Sequence, residues 1–291
     1  MDRLLPYRTP FPWDRLLAFL GARAIPGVEA VEGDAYLRTI AAGGHRGWIE
    51  VRAVPGAAAL EVRLSPSLAP ASDAVAALLR RLFDLDADPA AVAATLGADP
   101  LLGRHVRRTP GLRVPGAVDG FELALRAVLG QQVSVAAART LAGRVAERFG
   151  ERLGAAAGLD GKPLRRFMAP AEALAGADRA ELTALGITGA RADTIIALAR
   201  AVAEGSLRLE PGGDVDVTLA ALLRIRGIGP WTAQYVAMRA LRCADAFPAG
   251  DLGLRKAVGT DVRLEEVQEG WRPFRAYAAL YLWESLAEPE R

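Results

Sequence analysis

Residues 222–231, which read LLRIRGIGPW, carry the clearest structural signal in this 291-residue chain. An apolar helical run ends near Leu223, the glycines of Gly227-Ile228-Gly229 let the chain reverse, and Pro230 suits the first turn of a second helix. The free N–H groups at that helix start would form an anion site fit for one phosphate. On this segment alone, a phosphate-binding hairpin and a plain helical hairpin with a glycine turn remain equally open.

Helical spacing dominates the chain from residue 89 to residue 291. Apolar residues recur there at helical intervals, and glycines and prolines separate the runs. The sequence predicts a helix that is N-capped by Asp119 and extends through Leu129. Further helices are predicted at about 134–149, 163–168, 171–176, 179–185, 189–204, 217–224, 231–242, 251–258 and 271–287. We therefore interpret residues 89–291 as an all-α region.

The first 88 residues have a different pattern, in which apolar and charged residues alternate. Residues 49–53 and 60–64 both show this period of two, and Pro55-Gly56 between them indicates a turn. Residues 36–42 are a third candidate strand, and helices are predicted over 14–24 and 72–85. The predicted fold class is α+β, with an N-terminal domain at 1–88 that carries an antiparallel sheet with helices and is followed by a mostly helical region.

Composition excludes several classes of protein. The chain has 36 Lys and Arg against 34 Asp and Glu, so any basic surface must be local. One cysteine and two histidines rule out a disulfide and a four-cysteine iron–sulfur cluster, and they are poor material for a zinc site. No apolar run is long enough for a membrane span and the start lacks a secretory signal, so we expect a cytoplasmic protein.

Trp231 and Tyr235 lie four positions apart and therefore share one face of the second hairpin helix. They are either two core aromatics or a stacking wall for a base that has been flipped out of a duplex. In the second case, their electron-rich rings would favour positively charged, alkylated bases through a cation–π effect.

Asp251 follows Gly227 by 24 positions (251 − 227), at the start of a predicted helix. It is either an N-cap or a carboxylate that faces a cleft beside the aromatic helix. Cleavage of an N-glycosidic bond develops positive charge on the sugar, and an ionised carboxylate can stabilise that charge and orient a water.

Taken together, residues 223–256 resemble the helix–hairpin–helix, Gly/Pro-rich loop and aspartate signature of the base-excision DNA glycosylase superfamily. Segments 13–24, 110–116, 129–135 and 271–283 extend a similarity to the family of DNA-3-methyladenine glycosylase II over nearly the whole chain. The resemblance implies two helical subdomains with the active-site cleft between them and the hairpin at about 222–242. It also implies hydrolysis of the N-glycosidic bond of alkylated bases, such as 3-methyladenine and 7-methylguanine, in duplex DNA, by base flipping and as part of base excision repair, which leaves an abasic site.

The resemblance also assigns roles to individual residues. The catalytic carboxylate is Asp251, and Gln132 is the wedge that fills the space left by the flipped base. The base pocket would be lined by Trp231, Tyr235, Trp283 and Phe19. The DNA backbone would be bound by Gly227, Ile228, Gly229 and Thr232. A monovalent cation (Na⁺ or K⁺) would be held by the main-chain carbonyls of Leu223, Ile225 and Ile228. Two positions depart from the family pattern, since Gln132 replaces a leucine and Glu284 replaces an aromatic residue.

Bifunctional members of the superfamily carry a lysine where this chain has Trp231, so the resemblance implies water attack without a lyase step. No cofactor is required beyond the structural cation. We expect a monomer that acts on double-stranded DNA with damaged bases and stays with the nucleoid. Two alternatives remain open: a non-catalytic DNA-binding module that uses the hairpin alone, and a glycosylase for oxidised or deaminated bases.

Overall fold

The computed structural model describes residues 2–154, 161–260 and 262–287. The strands are β1 (Asp2–Pro6), β2 (Glu29–Glu32), β3 (Ala35–Ala42), β4 (His45–Ala53) and β5 (Ala59–Leu64). The helices are α1 (Trp13–Arg23), α2 (Ser72–Leu82), α3 (Pro89–Leu96), α4 (Gly103–Arg108), α5 (Gly120–Leu129), α6 (Val135–Phe149), α7 (Ala171–Ala175), α8 (Arg179–Ala184), α9 (Gly189–Ala203), α10 (Val215–Leu223), α11 (Pro230–Arg239), α12 (Leu252–Val258), α13 (Leu264–Val267) and α14 (Arg275–Ala287). Short 3-10 helices lie at Pro66–Ala71 and Gln268–Trp271.

The strands form one antiparallel sheet in the order β1-β5-β4-β3-β2. Alternate residues of β5 are buried, and Leu60, Val62 and Leu64 pack with α1 and α2 in one apolar core. The three predicted strands are confirmed as β3, β4 and β5. The two edge strands were not predicted, because the adjacent Leu4 and Leu5 of β1 do not alternate with polar residues and β2 has only four residues.

The helical region confirms the predicted α+β class, with two corrections. Helices α3, α4 and α13 were not predicted, and the helix predicted at 163–168 is wrong. That segment is extended, since Arg166 forms a β-bridge with Arg152, and the N–H groups of Arg165 and Arg166 both donate to the carbonyl of Gly27. Leu164 is then buried against Trp48, so tertiary contacts override the local helical spacing.

Two apolar cores divide the helical region. One contains buried residues of α5, α6, α9 and the first turns of α11, and the other contains residues of α3, α4, α12 and α14. Helix α11 contributes to both, because Ala233 and Val236 face the first core while Ala237 and Met238 face the second. This helix therefore runs between the two cores and presents its first turns at the cleft where they separate.

A buried charge network joins the sheet to the helical region. Arg38 of β3 donates to Glu29 at 3.0 Å and to Glu122 of α5 at 2.8 Å, and Arg126 donates to the same two carboxylates at 2.9 and 3.2 Å. Tyr36 adds a hydroxyl donor to Glu29 at 2.7 Å. Since every charge is paired, the network can be buried without isolated ions. The domain boundary at residue 88 stays a prediction. Among the described helices, none combines the length and apolarity needed to cross a bilayer.

Candidate active site

A cleft of about 400 Å³ lies where α1, α5, α6, α11, α12 and α14 meet. It brings together residues that are far apart in sequence, from Phe19 near the N-terminus to Trp283 in the last helix. Its other lining residues are Arg23, Ile25, Leu123, Arg126, Ala127, Gly130, Val133, Val135, Ala138, Arg139, Ala142, Trp231, Tyr235, Arg239 and Asp251. The four residues predicted for the base pocket and the predicted catalytic carboxylate thus lie around one cavity.

The hairpin between α10 and α11 is built as the glycine pattern predicts. Gly229 is the N-cap of α11 and Pro230 is its first residue. Gly227 has a φ of +93°, and a Cβ there would meet Thr194 Oγ1 at 2.1 Å, so conformation and space both require glycine. A Cβ on Gly229 would meet nothing within 4 Å, which leaves the start of α11 open to an approaching ligand.

Asp251 is both a helix cap and a cleft residue. It is the N-cap of α12, where its Oδ1 accepts from the N–H of Leu254 at 2.9 Å. The same oxygen accepts from Trp283 Nε1 at 3.0 Å, and Oδ2 accepts from Trp231 Nε1 at 2.7 Å. The preceding loop is tied to α11, since Gln234 accepts from the N–H of Phe247 at 3.1 Å. Three N–H donors therefore fix the orientation of the carboxylate.

The aromatic residues form a wall beside this carboxylate. The rings of Trp231 and Tyr235 stack at 5.2 Å with 9° between their planes, and Trp283 lies 6.3 Å from Tyr235 at 59°. All three remain half-buried at the cleft surface. They are thus available to a planar guest, unlike aromatics enclosed in a core.

Arginines form the inner end of the cleft, and our sequence analysis missed them. Arg239 donates to the Tyr235 hydroxyl at 2.6 Å, and its guanidinium lies 5.0 Å from the Phe19 ring centroid. Arg23 lies 3.8 Å from the same ring. Burial raises the pKa of Tyr235, but Arg239 and Arg23 outweigh it and leave that pKa below its ordinary value. The signal was spacing, since Arg23 and Arg239 each follow a predicted pocket aromatic by four positions on one helix.

Gln132 and Glu284, the two positions that depart from the family pattern, lie in different settings. Gln132 is exposed in the loop between α5 and α6, with a φ of +56°, next to Val133 at the cleft. Glu284 does not line the cleft, and Arg15 of α1 lies 3.7 Å from its carboxylate. The change at 284 therefore replaces a ring with an ion pair behind the pocket wall.

The carbonyls predicted to hold a cation come from one short segment. Leu223 ends α10, and the carbonyl of Ile225 accepts from the N–H of Ile228 at 3.0 Å within the turn. Carbonyl oxygens are suitable ligands for a monovalent cation, so the donor set fits the predicted ion. Within residues 2–154, 161–260 and 262–287, no group of three His, Cys, Asp or Glu side chains could hold a metal ion.

Several basic side chains are exposed on the hairpin and on helices that contribute to the cleft, although the whole chain is nearly neutral. Arg224 and Arg226 are exposed on the hairpin, Arg255 and Lys256 on α12, and Arg139 on α6 at the cleft. Such a local basic rim is suited to a phosphate backbone.

The chain matches two family models, described as the AlkA N-terminal domain over residues 3–119 and as the HhH-GPD superfamily base excision DNA repair protein over residues 125–272. It belongs to the HhH-GPD superfamily of base excision DNA repair proteins. It is 39% identical to DNA-3-methyladenine glycosylase 2 of Escherichia coli (strain K12), over 96% of this chain and 95% of that protein.

Two solved structures share the fold. A 3-methyladenine DNA-glycosylase from Archaeoglobus fulgidus superposes with a TM-score of 0.83 at 23% identity, over 97% of both chains. An 8-oxoguanine glycosylase/lyase of Clostridium acetobutylicum, in complex with double-stranded DNA, superposes with a TM-score of 0.74 at 17% identity, over 99% of this chain and 97% of that one. The family models and the E. coli relative confirm the predicted family, while the roles assigned to single residues stay predictions.

Proposed function

We propose that this protein is a monofunctional DNA glycosylase that hydrolyses the N-glycosidic bond of alkylated bases in duplex DNA and leaves an abasic site. The observation that carries this proposal is the carboxylate of Asp251, which two indole N–H groups hold in a cleft lined by four aromatic side chains. A non-catalytic DNA-binding module would need neither the carboxylate nor the rings.

Asp251 stabilises the positive charge that develops on the deoxyribose as the base departs. An ionised carboxylate has about four lone-pair positions, and two donors occupy Oδ1 while one occupies Oδ2. One position on Oδ2 is therefore left, and it can accept from the attacking water. The same carboxylate thus offsets the sugar charge and orients the nucleophile.

The flipped base would enter beside Trp231, Tyr235 and Trp283, with Phe19 at the inner end. Alkylated purines such as 3-methyladenine and 7-methylguanine carry positive charge on the base, and indole and phenol faces attract it. Flipping a base out of the duplex costs a few kcal/mol, and the cost is smallest for damaged or mispaired bases. This difference adds to the selectivity for damaged bases. The E. coli relative is named for the same class of base.

We expect no lyase step, because the cleft has, among its described residues, no lysine amine that could attack the sugar. The position of the lysine of bifunctional members holds Trp231, whose indole N–H is bonded to Asp251. None of the residues lining the cleft is a lysine. Without an amine to form a Schiff base, water is the nucleophile and the DNA strand stays intact.

DNA would dock on the hairpin and the basic rim. The N–H groups at the start of α11 would bind one phosphate, and Gln132 would fill the gap in the duplex. The carbonyls of Leu223, Ile225 and Ile228 would hold a monovalent cation, which would supply positive charge beside that phosphate. One flipped base needs one site, so a monomer suffices. We further propose that the enzyme works in the cytoplasm at the nucleoid.

Base release from methylated duplex DNA tests the proposal, with binding to an abasic-site duplex measured alongside. We expect the wild type to release methylpurines without strand cleavage, and Asp251→Asn to lose at least about 100-fold in rate while its affinity stays within about twofold. Borohydride trapping should give no covalent complex. Duplexes with oxidised or deaminated bases identify an alternative substrate class. If none of these bases is released although DNA binds, the protein is not a glycosylase.

A further inference from the structure

The loop between α5 and α6, residues 130–134, carries the predicted wedge and is hereafter the wedge loop. Gln132 is exposed at its tip, and its backbone lies in the left-handed region with a φ of +56°. A loop tip in this conformation does not determine by itself how far the side chain stands from the DNA-binding hairpin. Other contacts have to set that distance.

The preceding residue, Gln131, makes such contacts. Its side-chain Nε2 donates to the carbonyl of Gly227 at 2.9 Å and to Thr232 Oγ1 at 3.1 Å. Gly227 lies in the hairpin turn, and Thr232 is a buried residue in the first turn of α11. One amide therefore spans from the wedge loop to both sides of the predicted phosphate-binding N–H groups, although 96 residues separate Gln131 from Gly227 in sequence.

Helix α9 supports both partners of this link. Arg191 donates to the main-chain carbonyl of Gln131, and Thr194, one turn later, donates to the carbonyl of Arg226 at 2.9 Å. Wedge loop and hairpin therefore rest on one helix and are joined directly through the Gln131 amide. An amide NH₂ is the group this position needs, since its two protons can serve a carbonyl and a hydroxyl together.

We propose that Gln131 is a positioning residue that holds the wedge at a fixed distance from the phosphate bound by the hairpin. This inference rests on the proposed function. Phosphate binding reads no sequence and by itself leaves the base stacked. Through Gln131, docking of the hairpin presents Gln132 to the base stack in the right register, so that binding is coupled to flipping.

The test compares binding with flipping in Gln131→Met, which keeps the length of the side chain and removes its donors. We expect the affinity for undamaged duplex to stay within about twofold and the single-turnover rate at saturating methylated DNA to fall about tenfold, the effect of one to two lost hydrogen bonds. A 2-aminopurine beside the lesion should show a smaller fluorescence rise than with wild type. Gln131→Glu, which has the same shape and no donor when ionised, is the second variant and guards against a folding defect in the first.

A double-mutant cycle with Gln132→Ala isolates the coupling. If Gln131 acts through the wedge, the double variant should be within about twofold of Gln132→Ala alone. Three outcomes would overturn the inference and leave the wedge role of Gln132 standing. The rate losses of the two single variants could multiply in the double variant, the Gln131 variants could lose duplex affinity and not rate, or both Gln131 variants could keep the wild-type rate. Wild-type flipping by Gln132→Ala would overturn the wedge assignment as well, which distinguishes the two failures.

Discussion

The carboxylate of Asp251 caps a helix and faces the cleft with the same two oxygens. Its bond to the N–H of Leu254 is an ordinary N-cap contact, and its bonds to two tryptophans are not. In the sequence these appeared as competing interpretations of one residue. The geometry makes them compatible, because the cap fixes the orientation that the cleft requires.

The indole N–H of Trp283 is the more easily isolated of the two tryptophan contacts. In Trp283→Phe an aromatic ring is kept but the donor to Asp251 Oδ1 is lost. A hydrogen bond to a charged group is worth about 1.5–3 kcal/mol, so we expect base release to slow about 10- to 100-fold in single-turnover measurements.

Trp271→Phe is the matched control for that variant. Trp271 also donates its indole N–H to an aspartate, Asp99, at 2.8 Å, but it is fully buried in a core away from the cleft. This variant should lose stability and keep its rate per folded molecule. Equal rate losses in both variants would show that Trp283 acts only through packing.

Capping by Asp251 can be separated from its charge. Asparagine caps helices as well as aspartate does, whereas alanine does not, so Asp251→Ala should unfold about 1 kcal/mol more easily than Asp251→Asn in urea titrations. Both Asp251 variants should be equally inactive.

Asp88→Ala is the control at another helix. It removes the N-cap of α3, where the carboxylate accepts from the N–H groups of Ala90 and Ala91, and should cost similar stability without slowing base release. Equal stability of the two Asp251 variants would contradict a capping role.

The hairpin shows which kind of element can be predicted from local sequence. Its helices, its glycine turn and the position of Pro230 follow from residue types that allow few alternatives. The central strands were found for the same reason, through their alternation. Edge strand β1 and the extended segment at 163–168 depend on partners far away in the chain, which no local pattern records. Strand β2 pairs locally with β3 across Gly33-Asp34, but its four residues are too few to show an alternation.

The two hairpin glycines should respond differently to alanine. At Gly227 a side chain is strained by the φ of +93° and collides with Thr194, so Gly227→Ala should lose about 2 kcal/mol or more of stability. At Gly229 there is space, and the cost should stay under about 1 kcal/mol.

For DNA binding we expect the opposite order, with a larger loss of affinity in Gly229→Ala than in Gly227→Ala. Gly229→Ala places a methyl group where the phosphate would approach the N–H groups of α11, so its Kd for an abasic-site duplex should rise about tenfold. Thermal unfolding and fluorescence anisotropy, measured on the same preparations, check both quantities. If Gly229→Ala binds as the wild type does, the start of α11 is not the phosphate site.

The site as a whole is assembled from the segment that contains α11 and Asp251, from α1 and from α5, and this limits how much of it the sequence could predict. Asp251, Trp231 and Tyr235 are close in sequence and were found together. Arg23 reaches the same cleft from α1, where its spacing from Phe19 was the one available signal, whereas the position of Arg126 on α5 follows only from the packing of the sheet against the bundle. The charge network of that interface includes Arg126, so it connects the stability of the molecule to the wall of the cleft.

This interface should make stability depend on pH. Burial would raise the pKa of Glu29, but Arg126, Arg38 and the Tyr36 hydroxyl lower it from 4.5 to about 2. Between about pH 2 and pH 4.5, Glu29 is therefore protonated in the unfolded chain and ionised in the folded protein. The free energy of unfolding rises with pH across this range, because the unfolded state binds more protons. The contribution of Glu29 is fully present above about pH 4.5 and is lost as the pH falls toward 2.

Urea titrations between pH 2.5 and 6 of wild type and Glu29→Gln test this account. At pH 6 the variant should be about 3–5 kcal/mol less stable, because it leaves two buried guanidiniums with one carboxylate. The difference should shrink as the pH falls, since the wild type loses the same interaction on protonation. Glu61→Gln, an exposed change on β5, should follow the wild-type curve. A constant difference between Glu29→Gln and wild type would show that the charge of Glu29 does not hold the sheet to the bundle.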